Sequence, residues 1–393
     1  RTIDVFAANA DVRCVRFTQC GHAVAIVPLY ECGFPLSEPT MMRLLVAFVL
    51  LSPSAAWACL WDYDTLRQER ARFPSALELM TGKFLRHSPA FYEWRVRDRL
   101  ARLQENPDDL RLRDDLAVAY HKIGRNDQAI GICVEMLRMQ PKRYETLSNL
   151  GTFYILDGDL KKGLTFIDQA LEVNPDAHFG RERYQKWLVE YALSRYPDGN
   201  LRLPLKGERD YSNFAHFLKE KIKPWDLAAN QKAVQAVLGM MRFANHDNPL
   251  LLEALGDLLM ALGEDMESGD GNPGDAKALA ARAYLLAARR TEGKTAESYR
   301  ESARSAACMQ VITRICDDSL PEIEKGLKVE LADAQAWYDE LVAKERAWID
   351  AGADVEAEYD RLYDREPEAL DDGMKPRLSF RARNTLLGYG IIA

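Results

Sequence analysis

Residues 116–141 read LAVAYHKIGRNDQAIGICVEMLRMQP, and residues 150–175 read LGTFYILDGDLKKGLTFIDQALEVNP. Laid over each other at an offset of 34, the two stretches register: Leu116 meets Leu150, Tyr120 meets Tyr154, Gly124 meets Gly158 and Pro141 meets Pro175, while Gly163 answers Ala129. Pro107 lies one further period upstream of Pro141. Self-similarity at such a spacing marks an architecture of stacked helical hairpins.

Two antiparallel helices per unit satisfy the pattern. On the first helix Leu112, Leu116, Val118 and Tyr120 face inward, and Gly124 ends the helix by taking a left-handed conformation just beyond it. Asp127 is placed to cap the second helix, whose apolar stripe is Ala129, Ile130, Cys133, Met136 and Leu137, and Pro141 stops it. The small residues Ala117 and Gly151, and Ala129 and Gly163, let the paired helices approach closely. One hairpin cannot bury its own apolar face, so neighbours must stack.

These residues resemble the tetratricopeptide repeat family. The second unit carries Leu147, Leu150-Gly151, Tyr154, Gly158, Gly163, Ala170 and Pro175. The first keeps Leu116-Ala117, Tyr120, Gly124, Ala129 and Pro141 but lacks the aromatic near the start of its first helix. The clear match spans residues 110–177. The resemblance implies an all-α, helix-turn-helix solenoid with a divergent C-terminal helical region, and a groove, lined by the first helix of each unit, that holds extended peptides. On that analogy the groove residues are Arg111, His121 and Lys122, then Asn149 and Thr152, then Arg183 and Lys186, with Asp114, Ser148 and Glu182 beside them. Asn149 is placed to bond a peptide backbone, and Arg183 and Lys186 to hold a carboxylate, Arg by a planar fork and Lys as a point charge. Val118 departs from the carboxylate-binding pattern and Glu182 opposes it. Each of these charges also reads as a solvated surface residue.

The pattern extends outward with less regularity. Residues 59–89 form an N-terminal segment and 90–195 the repeat block, with helices from Phe91 to Asn106 and from His178 to Arg195 flanking the clear units. Residues 196–210, with Pro197, Gly199 and Pro204, read as a linker. Residues 211–316 repeat the same grammar faintly, with helices at Tyr211–Lys223, Ala228–Ala244, Leu252–Gly263 and Ala276–Arg290. In 317–393 a long amphipathic helix begins at Ser319 and carries Ile323, Leu327, Leu331, Tyr338, Leu341, Trp348 and Ile349 on one side. No segment alternates convincingly with period two, so the expected class is all-α.

The first 58 residues read as leader. Met41-Met42-Arg43 is followed by the apolar run from Leu44 to Leu51, the breaker Ser52-Pro53-Ser54 and Ala56-Trp57-Ala58 before Cys59, the order of a secretory signal peptide over 41–58. Residues 1–40 then read as upstream, non-native sequence. The expected location is the periplasm or cell envelope. The alternatives are a lipid anchor through Cys59 and a cytoplasmic protein. The eight-residue apolar run is far short of the ~20 residues that span a bilayer.

The chain has 393 residues, 47% apolar and 28% charged, which is neither a multi-span membrane composition nor a disordered one. Lys+Arg 52 against Asp+Glu 60 gives a net charge of −8, which argues against nucleic-acid binding. No CxxC, HExxH, serine elbow or phosphate loop occurs. Gly269-Asp270-Gly271-Asn272-Pro273-Gly274 spells a dinucleotide signature, but it follows a helix and is surrounded by carboxylates, so it reads as a solvated loop. The spacing of Asp265, Glu267, Asp270 and Asp275 does not match a calcium loop. Cys133 sits on a core stripe, and Cys308 and Cys316 are about 12 Å apart if they share one helix. The expectation is therefore a non-enzymatic scaffold with a protein or peptide partner, without cofactor or metal and with no membrane span after leader removal. A structural, homo-oligomerising role in an envelope assembly and an accessory enzyme subunit are the alternatives.

Overall fold

The computed structural model describes residues 2–4, 16–20, 23–27, 60–70, 72–176, 180–205, 213–267, 273–308 and 319–369. The chain divides into two units, Arg1–Ser54 and Ala55–Ala393. In the first, β1 (Thr2–Asp4), β2 (Arg16–Cys20) and β3 (Ala23–Val27) form an antiparallel sheet in that order, with Phe17 opposite both Ile3 and Ile26. The sheet lies in the stretch read as leader, outside the helical region on which the all-α class rests. The Ala-Val-Ala-Ile-Val stretch is an unbroken apolar run, which periodicity alone does not assign to a strand. The proposed signal peptide and Cys59 lie outside the described residues.

The described part of the second unit is all-α. It opens with α1 (Tyr63–Arg70), α2 (Ala76–Thr81) and α3 (Pro89–Glu105). The two periodic hairpins follow as α4 (Leu110–Lys122) with α5 (Asn126–Met139), and α6 (Tyr144–Leu156) with α7 (Leu160–Val173). Each helix packs on the next along the chain. Gly124 and Gly158 hold φ of 78° and 89°, the left-handed turn after the first helix of each hairpin. The expected cap at Asp127 is not formed. Arg125 occupies the cap position without a side-chain bond, and Asp127 lies in the first turn of α5. Side-chain caps fall instead at Asp109 on α4 and Asp159 on α7.

The small residues do what close packing requires. A Cβ on Gly163 would meet the side chain of Ile155 and stand 2.8 Å from the Gly151 carbonyl, and one on Gly151 would stand 2.8 Å from Ile167 Cδ1. We expect Gly163→Ala to cost about 1–3 kcal/mol by overpacking, although alanine favours a helix. Gly131→Ala, with nothing within 4 Å of the new methyl, should be neutral or stabilising by up to about 1 kcal/mol. Urea denaturation of the two variants reads the difference.

Beyond the hairpins come α8 (Arg181–Arg195), α9 (Phe214–Lys221), α10 (Leu227–Phe243), α11 (Pro249–Glu267), α12 (Pro273–Arg289), α13 (Gly293–Cys308), the long α14 (Ser319–Asp350) and α15 (Val355–Ala369). The two blocks share one core. A continuous apolar cluster runs from Leu79 and Met80 through Leu188 and Ala192 to Val237, Met240, Leu255, Leu258 and Leu327. The stretch read as a linker is part of that packing. Leu205 is buried, and its N–H donates to Glu253 Oε2 at 3.1 Å. Phe214 N–H donates to Asp257 Oδ2 at 3.1 Å, and both carboxylates also accept phenol hydroxyls, from Tyr299 at 2.6 Å and Tyr284 at 2.7 Å. Among the described residues no helix is long and apolar enough to cross a membrane.

Candidate functional site

The first helices α4, α6 and α8 place a row of polar side chains inside the protein. Asp114, Asp115, Ser148, Asn149, Thr152, Glu182 and Gln185 are all buried. A polar side chain taken out of water needs a partner, so what these groups bond defines the face. Adjacent helices supply part of the answer: Ser148 Oγ donates to Glu182, and Gln185 Nε2 donates to Thr152 Oγ1 at 3.2 Å.

The rest comes from the chain's own N-terminal segment. Asn149, 0% exposed, grips the backbone of Trp61 at two points. Its Oδ1 accepts the Trp61 N–H at 2.7 Å and its Nδ2 donates to the Trp61 carbonyl at 2.9 Å. Asp115 Oδ1 accepts the Tyr63 N–H at 2.8 Å. Leu60 is buried among Leu116, Ala117, Leu150 and Phe153. The Trp61 indole meets Tyr144 edge-on at 6.2 Å. The inner face of the two hairpins is thus occupied by the non-helical residues 60–62 and the first turn of α1, a strap that starts at Leu60.

Acidic side chains after Trp61 anchor the strap to a buried charge network. Arg95 on α3 reaches Asp62 at 3.2 Å, Asp64 at 2.8 Å and Glu356 of α15 at 2.9 Å. Arg99, one turn on, pairs with Asp115 at 2.8 Å and with Glu356 and Asp98. The His87 ring bridges Asp64, at 2.9 Å from Nε2, and Glu345 of α14, at 3.1 Å from Nδ1. Phe91 stacks on one side of that ring at 3.5 Å and Tyr359 leans on it at 4.0 Å. The second Glu345 oxygen accepts the Ser88 N–H at 3.0 Å.

Burial alone would raise the Asp64 carboxyl, but Arg95 and His87 outweigh it and hold the group well below the usual carboxylate range. Burial likewise opposes the charged imidazole, yet Asp64 and Glu345 raise His87 above its ordinary value. Asp62 is raised, by burial and then by Asp64 beside it. A histidine between two carboxylates is the geometry of acid–base chemistry, but here both ring nitrogens are engaged and aromatic rings cover it. Its evident work is to tie α1, α3 and α14 together.

The residues read from sequence as the groove do not form one surface. Asn149 lies inside and holds Trp61. Thr152 lies inside and holds Gln185. Lys122 caps the end of α10, donating to the carbonyls of Phe243 at 3.0 Å and Ala244 at 2.6 Å, and burial lowers its ammonium to about 8. His121 bonds Asn126 through Nδ1 at 2.7 Å, and burial lowers it to about 4, so it is neutral at pH 7. Arg183 is exposed, bonding the Pro175 carbonyl at 3.1 Å, and Lys186 pairs with Asp168 at 2.5 Å. Arg111 is exposed at the rim of a surface hollow of about 590 Å³ shared with Asp109, Gln140, Lys142, Arg143 and Glu145. Asp114 and Asp115 diverge as adjacent helical residues must. Asp114 turns to Arg143 at 2.5 Å and is raised to about 7 by burial. Among the described residues no group of His, Cys, Asp and Glu is arranged to hold a metal ion.

Sequence reasoning missed His87, Arg95, Arg99, Asp62 and Asp64. The one local signal was two arginines a turn apart following Phe91 on the inward side of α3, a place where solvated charge does not belong. Comparison with protein-family models and with curated proteins finds no match. The likeness to tetratricopeptide repeats therefore rests on the residues of α4–α7.

Proposed function

We propose that this chain is a non-enzymatic helical-repeat scaffold whose inner hairpin face binds a peptide segment of a protein partner. The observation that carries the reading is the two-point grip of Asn149 on the Trp61 backbone. A buried amide that satisfies both the N–H and the C=O of one residue binds main chain irrespective of side chain, the chemistry a peptide-binding face requires. The residues around it supply side-chain selection: an aliphatic niche at Leu60 and an aromatic contact at Trp61. Placement in the bacterial envelope rests on the sequence of residues 41–58, and N-terminal sequencing of the mature protein tests it.

Selection from a random peptide library on the full chain tests the binding reading. Enriched peptides should lose capture when Asn149 becomes Leu, in a variant shown by circular dichroism to remain folded. Failure to enrich any peptide, or equal capture by Asn149→Leu, removes the proposal.

A further inference from the structure

The strap identifies the kind of segment this face accepts. Four features of residues 60–64 engage the face, each at its own place. Leu60 fills an apolar niche, and the Trp61 main chain sits on Asn149 while its indole contacts Tyr144. Asp62 pairs with Arg95, and Asp64 pairs with both Arg95 and His87. Tyr63, between the acids, gives its N–H to Asp115 and is 45% exposed, its hydroxyl making an exposed bond to Asp360 at 3.2 Å. Two of the three carboxylates on Arg95 therefore belong to the strap, the third being Glu356. Any segment that replaced it without acids at those positions would strand a buried guanidinium.

Residues 60–62 have no helix or strand pairing of their own and are held by side chains of other helices, so a segment carrying the same groups can take their place.

We infer that residues 60–64 are an internal surrogate ligand, and that the partner recognised at this face carries an aliphatic–aromatic–acid–x–acid stretch that exchanges with them. The inference rests on the peptide-binding reading and specifies its ligand. A tethered strap competes at an effective concentration of order millimolar, so the intact protein binds such a partner weakly until the strap is displaced. A segment with acids in register replaces both ion pairs on Arg95 and so leaves the network whole.

The test uses a fluorescent peptide of residues 60–65, Leu-Trp-Asp-Tyr-Asp-Thr, titrated into the full chain by anisotropy. Weakening the strap by Leu60→Ser together with Trp61→Ala should tighten binding at least about tenfold over wild type. In that background Asn149→Leu should abolish binding. A peptide with both acids changed to Asn should bind at least about tenfold more weakly, as expected for lost pairing to a buried cation, whereas Tyr63→Ala in the peptide should change little. Equal binding by wild type and the strap-weakened chain overturns the inference, and so does indifference to the two acids. Should the weakened chain fail to fold, hydrogen exchange on the wild type decides. Excess peptide should speed exchange of the Trp61 and Tyr63 amides, and unchanged protection overturns the inference. If library peptides bind through Asn149 while the strap peptide does not, the binding face stands and only its proposed specificity falls.

Discussion

Arg95→Met should lower the unfolding free energy by about 3–5 kcal/mol, the cost of removing one partner from a buried ionic cluster. Methionine nearly fills the space, so lost packing is a minor part of the effect. Most of it is electrostatic: Asp62, Asp64 and Glu356 would remain in the interior without the guanidinium that each touches. Arg95 is itself 0% exposed, so water cannot substitute for it without opening the structure. Its neighbours supply an internal contrast. Arg102, two turns from Arg95 on α3, is exposed and meets Asp98 at 3.5 Å. Arg102→Ala should change stability by no more than about 0.5 kcal/mol, as exposed pairs do. Paired guanidinium denaturation curves measure both. Because Glu356 lies on α15 and Asp62 on the strap, the Arg95 variant should also lose amide protection at both places together. A variant that unfolds like Arg102→Ala would show the cluster contributing nothing to the fold.

The hairpins and the network differ in how much of them the sequence displays. Helices α4–α7 repeat Leu, Tyr, Gly and Pro at one offset, because each hairpin faces the same packing problem as its neighbour. The glycines at 151 and 163 are readable for the same reason, since helices this close leave no room for a methyl group. What fills the inner face has no period. Trp61 meets Asn149 across 88 residues and His87 meets Glu345 across 258, and nothing in a local window joins such pairs. A charge on a helix reads as solvent-facing unless its distant partner is known, and no motif around Arg95 and Arg99 names theirs. Arg183 and Lys186, read from the sequence as groove residues, meet the Pro175 carbonyl and Asp168. Asn149 was singled out for the chemistry of its side chain. That its backbone partner is the chain's own Trp61 followed from packing alone. Glu253 and Asp257 repeat the arrangement in the second block, accepting the N–H of Leu205 from connecting chain and that of Phe214 at the start of α9. Both blocks thus use polar residues on a helix to hold connecting backbone and the first N–H of the short helix that follows it.

The second large effect concerns His87 and is read best as a function of pH. The groups facing it are Asp64 from α1, Glu345 from α14, Arg95 from α3 and Tyr359 from α15, with the two carboxylates outweighing burial to favour the imidazolium. A histidine raised above its unfolded value near 6.5 contributes stability fully below that pH and loses it as pH climbs through the higher folded value. Asp64, held low by Arg95 and His87, behaves oppositely: its contribution is complete above about pH 4 and disappears as acid protonates it. His87→Leu should therefore cost about 3 kcal/mol or more near pH 6, where it leaves two buried carboxylates short of a partner. The gap between wild type and variant should narrow as pH rises above about 6.5, as the wild-type ring itself loses its proton. His121 supplies the opposite sign in the same molecule. Lowered to about 4 by burial, it stays neutral in the fold and withdraws stability as pH falls from 6.5 towards 4, up to about 3 kcal/mol. A wild-type-minus-variant difference that narrows with rising pH for His87→Leu, set against a His121→Asn variant that resists acid better than wild type, would separate the two histidines by sign. A His87→Leu deficit that stays constant from pH 5 to 9 would mean that its ring acts by shape alone, and the ionic tie between the strap and α14 would have to be abandoned.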